Sequence, residues 1–166
     1  MTKISQPIEG ELAKRGSAPS SSIPKIIHIV WVGDERKRPD NCIQTWRVHH
    51  PDWEIKVWGN ASLKEHAWVN GKHMRAMWSR ELNGVADMMR WEILYREGGF
   101  AVDADSICLR PLNTEWLKLE AFACWENEQV RPGLIAAGYF AARPNNPFVG
   151  QIIMDIYNAP TVTHAM

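Results

Sequence analysis

Apolar positions between residues 23 and 157 change spacing repeatedly, and each change marks a new structural element. Lys25-Ile26-Ile27-His28-Ile29-Val30-Trp31, opened by Ile23-Pro24, is a β-branched run that reads as a buried strand. Val32-Gly33-Asp34 breaks it, and a polar loop leads to Pro39. From Pro39 to His50 the spacing of Cys42, Ile43, Trp46 and Val48 is helical and stops before Pro51. Trp53 to Trp58 alternates and predicts a second strand, closed by Gly59-Asn60. Residues 61–81 read as mixed helix and loop. Asn83 is placed to cap a helix running through Glu97, which Gly98-Gly99 terminates. Phe100-Ala101-Val102 is a short third strand that delivers Asp103-Ala104-Asp105, and residues 107–112 read as its continuation. Strands near 121–125 and 134–141 and a helix over 147–157 follow. Strands alternating with helices predict an α/β domain with a largely parallel sheet.

Residues 1–22, rich in Ser, Pro and Gly without apolar period, read as a flexible tail, and 23–166 as the folded domain. The length of 166 residues suits one domain. Lys plus Arg and Asp plus Glu both number 19, so no overall field attracts nucleic acid. Cys42, Cys108 and Cys124 match neither a disulfide framework nor a zinc pattern, which suits a reducing compartment. No run suits a signal peptide or a transmembrane segment, and the expected location is cytoplasmic, or peripheral to a membrane. Nine Trp suit core packing first; sugar-handling proteins also stack on Trp.

Candidate chemistry concentrates between residues 87 and 105. Asp103 and Asp105, two apart in an extended segment, point to one side at a strand end, where open α/β sheets bind ligands. Two converging carboxylates call for a counter-charge, and Mg²⁺ or Mn²⁺ with phosphate oxygens completing its shell answers that need. The plain alternative is a solvated turn with two exposed acids. Asp87 and Arg90 share a helical face. Their plain alternative is a surface ion pair. Yet Val85, Met89 and Ile93 occupy another face, so the helix is apolar on nearly all sides. An Arg fork for a diphosphate beside an Asp for sugar hydroxyls would explain both charges there. His28 reads as a hydrogen-bonded core residue. His49-His50 suits the dipole at a helix end, and His66 and His73 lack an acidic partner at ligand spacing.

Ala86-Asp87-Met88-Met89-Arg90, Leu94-Tyr95, Gly98-Gly99-Phe100 and Asp103-Ala104-Asp105 together resemble the signature of the sugar-transferase family with the DXD motif, glycosyltransferase family 32. That family includes fungal mannosyltransferases and bacterial polysaccharide transferases, with the glucosylating clostridial toxins as relatives. Ile23 to His28 with Trp31 and Gly33, and Asn41 to Trp46 running to Trp58, are similar too, so the likeness extends to Phe148. The chain differs at Ala101, where the family usually has Tyr, and at Ala136-Ala137-Gly138, where relatives often carry Asn.

The resemblance implies a GT-A fold with a mostly parallel sheet flanked by helices. It also implies retaining, metal-dependent transfer of a hexose from a UDP- or GDP-sugar to a glycan or lipid-linked saccharide. It places Val30 and Trp31 at the nucleotide and Asp87 at the sugar hydroxyls. Arg90 falls at the diphosphate or sugar, and Asp103 and Asp105 at the Mn²⁺ or Mg²⁺ and the ribose, with Asp105 the more direct ligand. Relatives continue beyond the position of Met166, so the domain is expected to be incomplete at its C-terminus and to transfer poorly. Two rival readings are a donor-binding remnant without activity and a phosphohydrolase of the haloacid dehalogenase type. The second needs a further acidic pair downstream.

Overall fold

A computed structural model of the protein describes residues 22–162, so the expected tail over 1–22 lies outside the described residues except for Ser22. Five strands form one sheet: β1 (Ile26–Val30), β2 (Glu54–Trp58), β3 (Gly99–Val102), β4 (Ala121–Asn127) and β5 (Arg131–Ala142), in the order β2-β1-β3-β5-β4. β1 runs parallel to β2 from Ile26 opposite Glu54 to Val30 opposite Trp58, and parallel to β3 with Ile29 opposite Val102. β5, antiparallel to β3, and β4, antiparallel to β5, extend this parallel core on one side, so only β5 runs against the other four strands.

The helices are α1 (Asp40–His49), α2 (Asn60–Glu65), α3 (Gly71–Met77), α4 (Leu82–Glu97) and α5 (Pro147–Asn158). Alternation along β1 explains the layering. Ile27 and Ile29 pack with Ile43 and Trp46 of α1, while Val30 packs with Met77, Val85 and Met89 on the other face. Ala101 and Phe140 meet Leu94, Val149 and Ile153, so α4 and α5 cover that face beside α3. Helix α4 is therefore enclosed, as its all-round apolar pattern predicts.

Gly98 and Gly99 return α4 straight into the middle of the sheet. Both have positive φ, 66° and 112°. A Cβ would fall 2.6 Å from Pro144 Cδ at Gly98 and 2.6 Å from the Ile26 carbonyl at Gly99, so only glycine fits. His28 locks the same turn. The Trp58 indole, which can only donate, bonds His28 Nδ1 at 3.1 Å, so Nε2 carries the proton and donates to the Gly98 carbonyl at 2.7 Å.

Three expectations change. Residues 107–112 form no strand, because side chains of α1 and of its C-cap take their backbone donors: Cys108 N–H bonds Thr45 Oγ1 and Leu112 N–H bonds His50 Nε2. His50 is consequently a buried neutral residue, its Nδ1 donating to the Trp46 carbonyl at 3.1 Å, rather than a cation at a helix end. The N-cap of α4 is Glu81, not Asn83. The fold also buries a carboxylate that the spacing does not reveal. Glu92 is 1% exposed and accepts from the backbone N–H groups of Val69 and Asn70, each at 2.8 Å, fixing the start of α3.

Burial pushes the imidazoles of His28 and His50 below their ordinary value of 6.5. The unfolded chain then binds more protons just below that pH, so stability is complete above about 6.5 and is lost as pH falls through the depressed folded values. The urea unfolding midpoint is expected to fall between pH 7 and pH 5. In His28→Gln the fall should be shallower, since carboxylates contribute equally to both proteins. Equal slopes would remove His28 from the effect.

Candidate functional site

The C-terminal ends of β1 and β3 open into a cleft of about 650 Å³. β1 brings Val30 and, just beyond its end, Trp31; α4 brings Asp87 and Arg90; the turn after β3 brings Asp103 and Asp105. All six residues singled out in the sequence line this one cleft.

Arg90 is its centre. Nη1 donates to Asp87 Oδ1 at 2.7 Å, one turn away on α4, and Nη2 donates to Asp103 Oδ1 at 2.5 Å. The side chain is 8% exposed, against 23% for Asp87 and 38% for Asp103. Arg90 Nε is buried and bonds no group among the described residues. A guanidinium so enclosed needs carboxylates on its fork, and removing one partner of such a set costs about 3–5 kcal/mol. The surface-pair alternative does not describe this geometry.

The carboxylate pair sits in a turn, not in the extended segment expected from its spacing. β3 ends at Val102, and the Ser106 N–H closes back on the Asp103 carbonyl at 3.1 Å. Ala104 is buried in the core between the two acids. Ser106 Oγ also donates to the Asp103 carbonyl, at 2.5 Å, and Trp46 Nε1 donates to Ser106 Oγ at 3.0 Å, which pins the turn to α1. The Asp105 side chain is exposed and makes no hydrogen bond or ion pair among the described residues. Half-buried Tyr139 also lines the cleft. Burial pushes its phenol up, and the charges of Asp103 and Asp105 push the same way, so it stays neutral.

Trp31 is half-buried. Its backbone N–H bonds the Trp58 carbonyl at 2.8 Å and its indole N–H the Asp34 carbonyl at 3.1 Å. With both donors committed, what the ring offers the cleft is its apolar surface. The opposite wall is Trp125 and Glu126 of β4 and residues 136–139 of β5; of these the sequence marked only Ala136-Ala137-Gly138, as a departure from the family pattern and not as a wall of the site. Trp125 is one of nine Trp, and no local signal separates it from the others.

Asp103 and Asp105 offer hard oxygen ligands, but among the described residues no three His, Cys, Asp or Glu side chains gather into a metal cage. Two carboxylates suit a divalent cation that completes its shell with phosphate oxygens and water. They do not suit the phosphohydrolase reading, which requires more acids beside the pair.

Comparisons with known proteins bear on the fold and the family. Two curated relatives from Schizosaccharomyces pombe are similar. Inositol phosphoceramide mannosyltransferase 3 is 27% identical over 147 residues, covering 82% of this chain and 38% of the relative. Inositol phosphoceramide mannosyltransferase 1 is 26% identical over 148 residues, covering 84% and 45%. The chain thus spans less than half the length of either. The solved PaToxG glycosyltransferase superposes with a TM-score of 0.63 at 14% identity, over 90% of this chain and 63% of that one, which shows a shared GT-A type fold. Residues 36–123, just over half of the chain, match the family described as "Glycosyltransferase sugar-binding region containing DXD motif", and the chain belongs to that family.

Proposed function

We propose that the protein transfers a hexose, with retention, from a UDP- or GDP-sugar to a glycan or lipid-linked acceptor with the help of Mn²⁺ or Mg²⁺. The observation that carries this reading is the convergence of Trp31, Asp87, Arg90, Asp103 and Asp105 on one cleft. The ring of Trp31, beside Val30, gives the base an apolar platform. Asp87 accepts from sugar hydroxyls, and Arg90 holds Asp87 and Asp103 in place while keeping N–H groups for the diphosphate or sugar. Asp103 and Asp105 would hold the cation, which supplies positive charge against the departing diphosphate. The names of the two fungal relatives make a mannosyl donor and an inositol-phosphate lipid the first substrates to try.

The carboxylate pair repels a diphosphate, so affinity for UDP or GDP should rise strongly when Mn²⁺ is added. Titration calorimetry with Mn²⁺ and with EDTA measures the difference. In Asp105→Asn, which loses the exposed carboxylate, the difference should nearly vanish. Equal affinity in Mn²⁺ and EDTA for the unaltered protein would remove the cation from the reading.

Arg90→Lys keeps the charge but lacks the fork that reaches both acids. It should lower stability by about 3 kcal/mol and weaken nucleotide binding at least tenfold. Asp87→Asn keeps the shape and loses one charged acceptor, so donor-sugar affinity should fall about ten- to hundredfold, with a smaller change in melting temperature. Release of nucleoside diphosphate from a panel of UDP- and GDP-sugars measures turnover. An Arg90→Lys protein that melts lower yet binds donor normally would make the cluster purely structural.

A further inference from the structure

β5 does more than extend the sheet. It pairs with β3 from Gly99 opposite Ala142 to Val102 opposite Tyr139, so the next residue along, Gly138, arrives beside Asp103. Its register with β4 breaks at the same level. Ala123 faces Phe140 but Trp125 faces Ile135, two residues of advance on β4 against five on β5. Between those pairs β4 has only Cys124 while β5 has residues 136–139, the stretch that lines the cleft. An ideal Cβ on Gly138 would fall 2.0 Å from Asp103 Oδ2, 2.4 Å from Cγ and 2.7 Å from Oδ1. All three distances lie far inside contact. Gly138 is not among the residues of positive φ, so its backbone would tolerate any side chain and the constraint is space alone.

We infer that Gly138 is a positioning residue: the bulge of β5 lays its bare backbone against Asp103 and fixes that carboxylate on the Arg90 fork. One oxygen of Asp103 is tied to Arg90 Nη2 and the other abuts Gly138, so the side chain has a single place to stand. A methyl group there meets the movable end of a side chain, not backbone. Alanine at 138 therefore rotates Asp103 off Arg90 instead of breaking the sheet. The functional consequence rests on the proposed role of Asp103 in holding the cation and donor; the positioning itself does not.

The test is a double-mutant cycle of Gly138→Ala and Asp103→Ala, read by thermal melting and by titration with UDP and GDP in Mn²⁺. With Asp103 present, Gly138→Ala should lower the melting temperature and weaken nucleotide binding about tenfold. With Asp103→Ala, the same change should leave the melting temperature unchanged or raised and alter nucleotide binding less than twofold. If Gly138→Ala alone fails to fold, the double variant should fold as well as Asp103→Ala does. Equal losses in both backgrounds, or a double variant that melts well below Asp103→Ala alone, would overturn the inference. Coupling in melting without nucleotide binding by the unaltered protein would uphold the positioning and sink the proposed function.

Discussion

The contact on which the site depends is the buried fork of Arg90, held between Asp87 at 2.7 Å and Asp103 at 2.5 Å. A guanidinium that is 8% exposed cannot be left without anions, because desolvating it alone costs several kcal/mol. Both carboxylates must therefore stand where Arg90 puts them, and everything that sets their backbones becomes part of the site. A one-residue slip of α4 would turn Arg90 by about 100° around the helix axis and away from Asp103. The Gly98-Gly99 return and the His28 bond to the Gly98 carbonyl fix that register from below. Trp46 fixes the other partner by holding Ser106 and with it the Asp103 turn.

Charge balance then divides the work between the two motif acids. Arg90 neutralises one of the two carboxylates it bridges, and Asp105 adds a further exposed negative charge. The inner cleft is thus net anionic among these four residues, which disfavours a bare diphosphate and favours one that arrives with a cation. Asp103 is tied to Arg90, whereas the exposed Asp105 side chain makes no hydrogen bond or ion pair among the described residues. A cation placed there would meet one tied and one untied carboxylate, with phosphate and water as the remaining shell.

Much of this could be read along the chain, and the unreadable parts share a cause. Strands β1, β2 and β3 and helices α1, α4 and α5 announce themselves because their apolar spacing is local. Asp87 and Arg90 stand out because charge on an enclosed helix has to be explained. Glu92 shares that helix yet looks like any surface acid paired with an Arg one turn on (Arg96), since the partners that require its burial are the backbones of Val69 and Asn70, 23 and 22 residues away. Gly138 owes its identity to Asp103, and Trp125 its position to an irregular hairpin; neither constraint exists before the strands pair. The Asp103 turn is a milder case: spacing brought the acids together, while the Ser106 bonds that end the strand involve only the neighbouring residues and Trp46.

The two walls of the cleft also differ in how firmly they are built. The wall from β1, β3 and α4 is core on both sides: Ile29, Val85, Met89 and Val102 are all fully buried. The opposite wall rises from a hairpin whose outer half has little beneath it, with Trp125 53%, Val130 75% and Ile135 42% exposed. Phe140, Ala141 and Ala142 are buried in the sheet, so β5 passes from anchored to unsupported within a few residues. Segments with few buried apolar contacts open at low free-energy cost. Residues 136–139 stand at that boundary, which puts Gly138 on the last firmly held part of the strand. The carboxylate that must not move is therefore braced by the anchored end of β5, and the exposed Trp125 side of the cleft is the one with freedom to adapt to whatever enters.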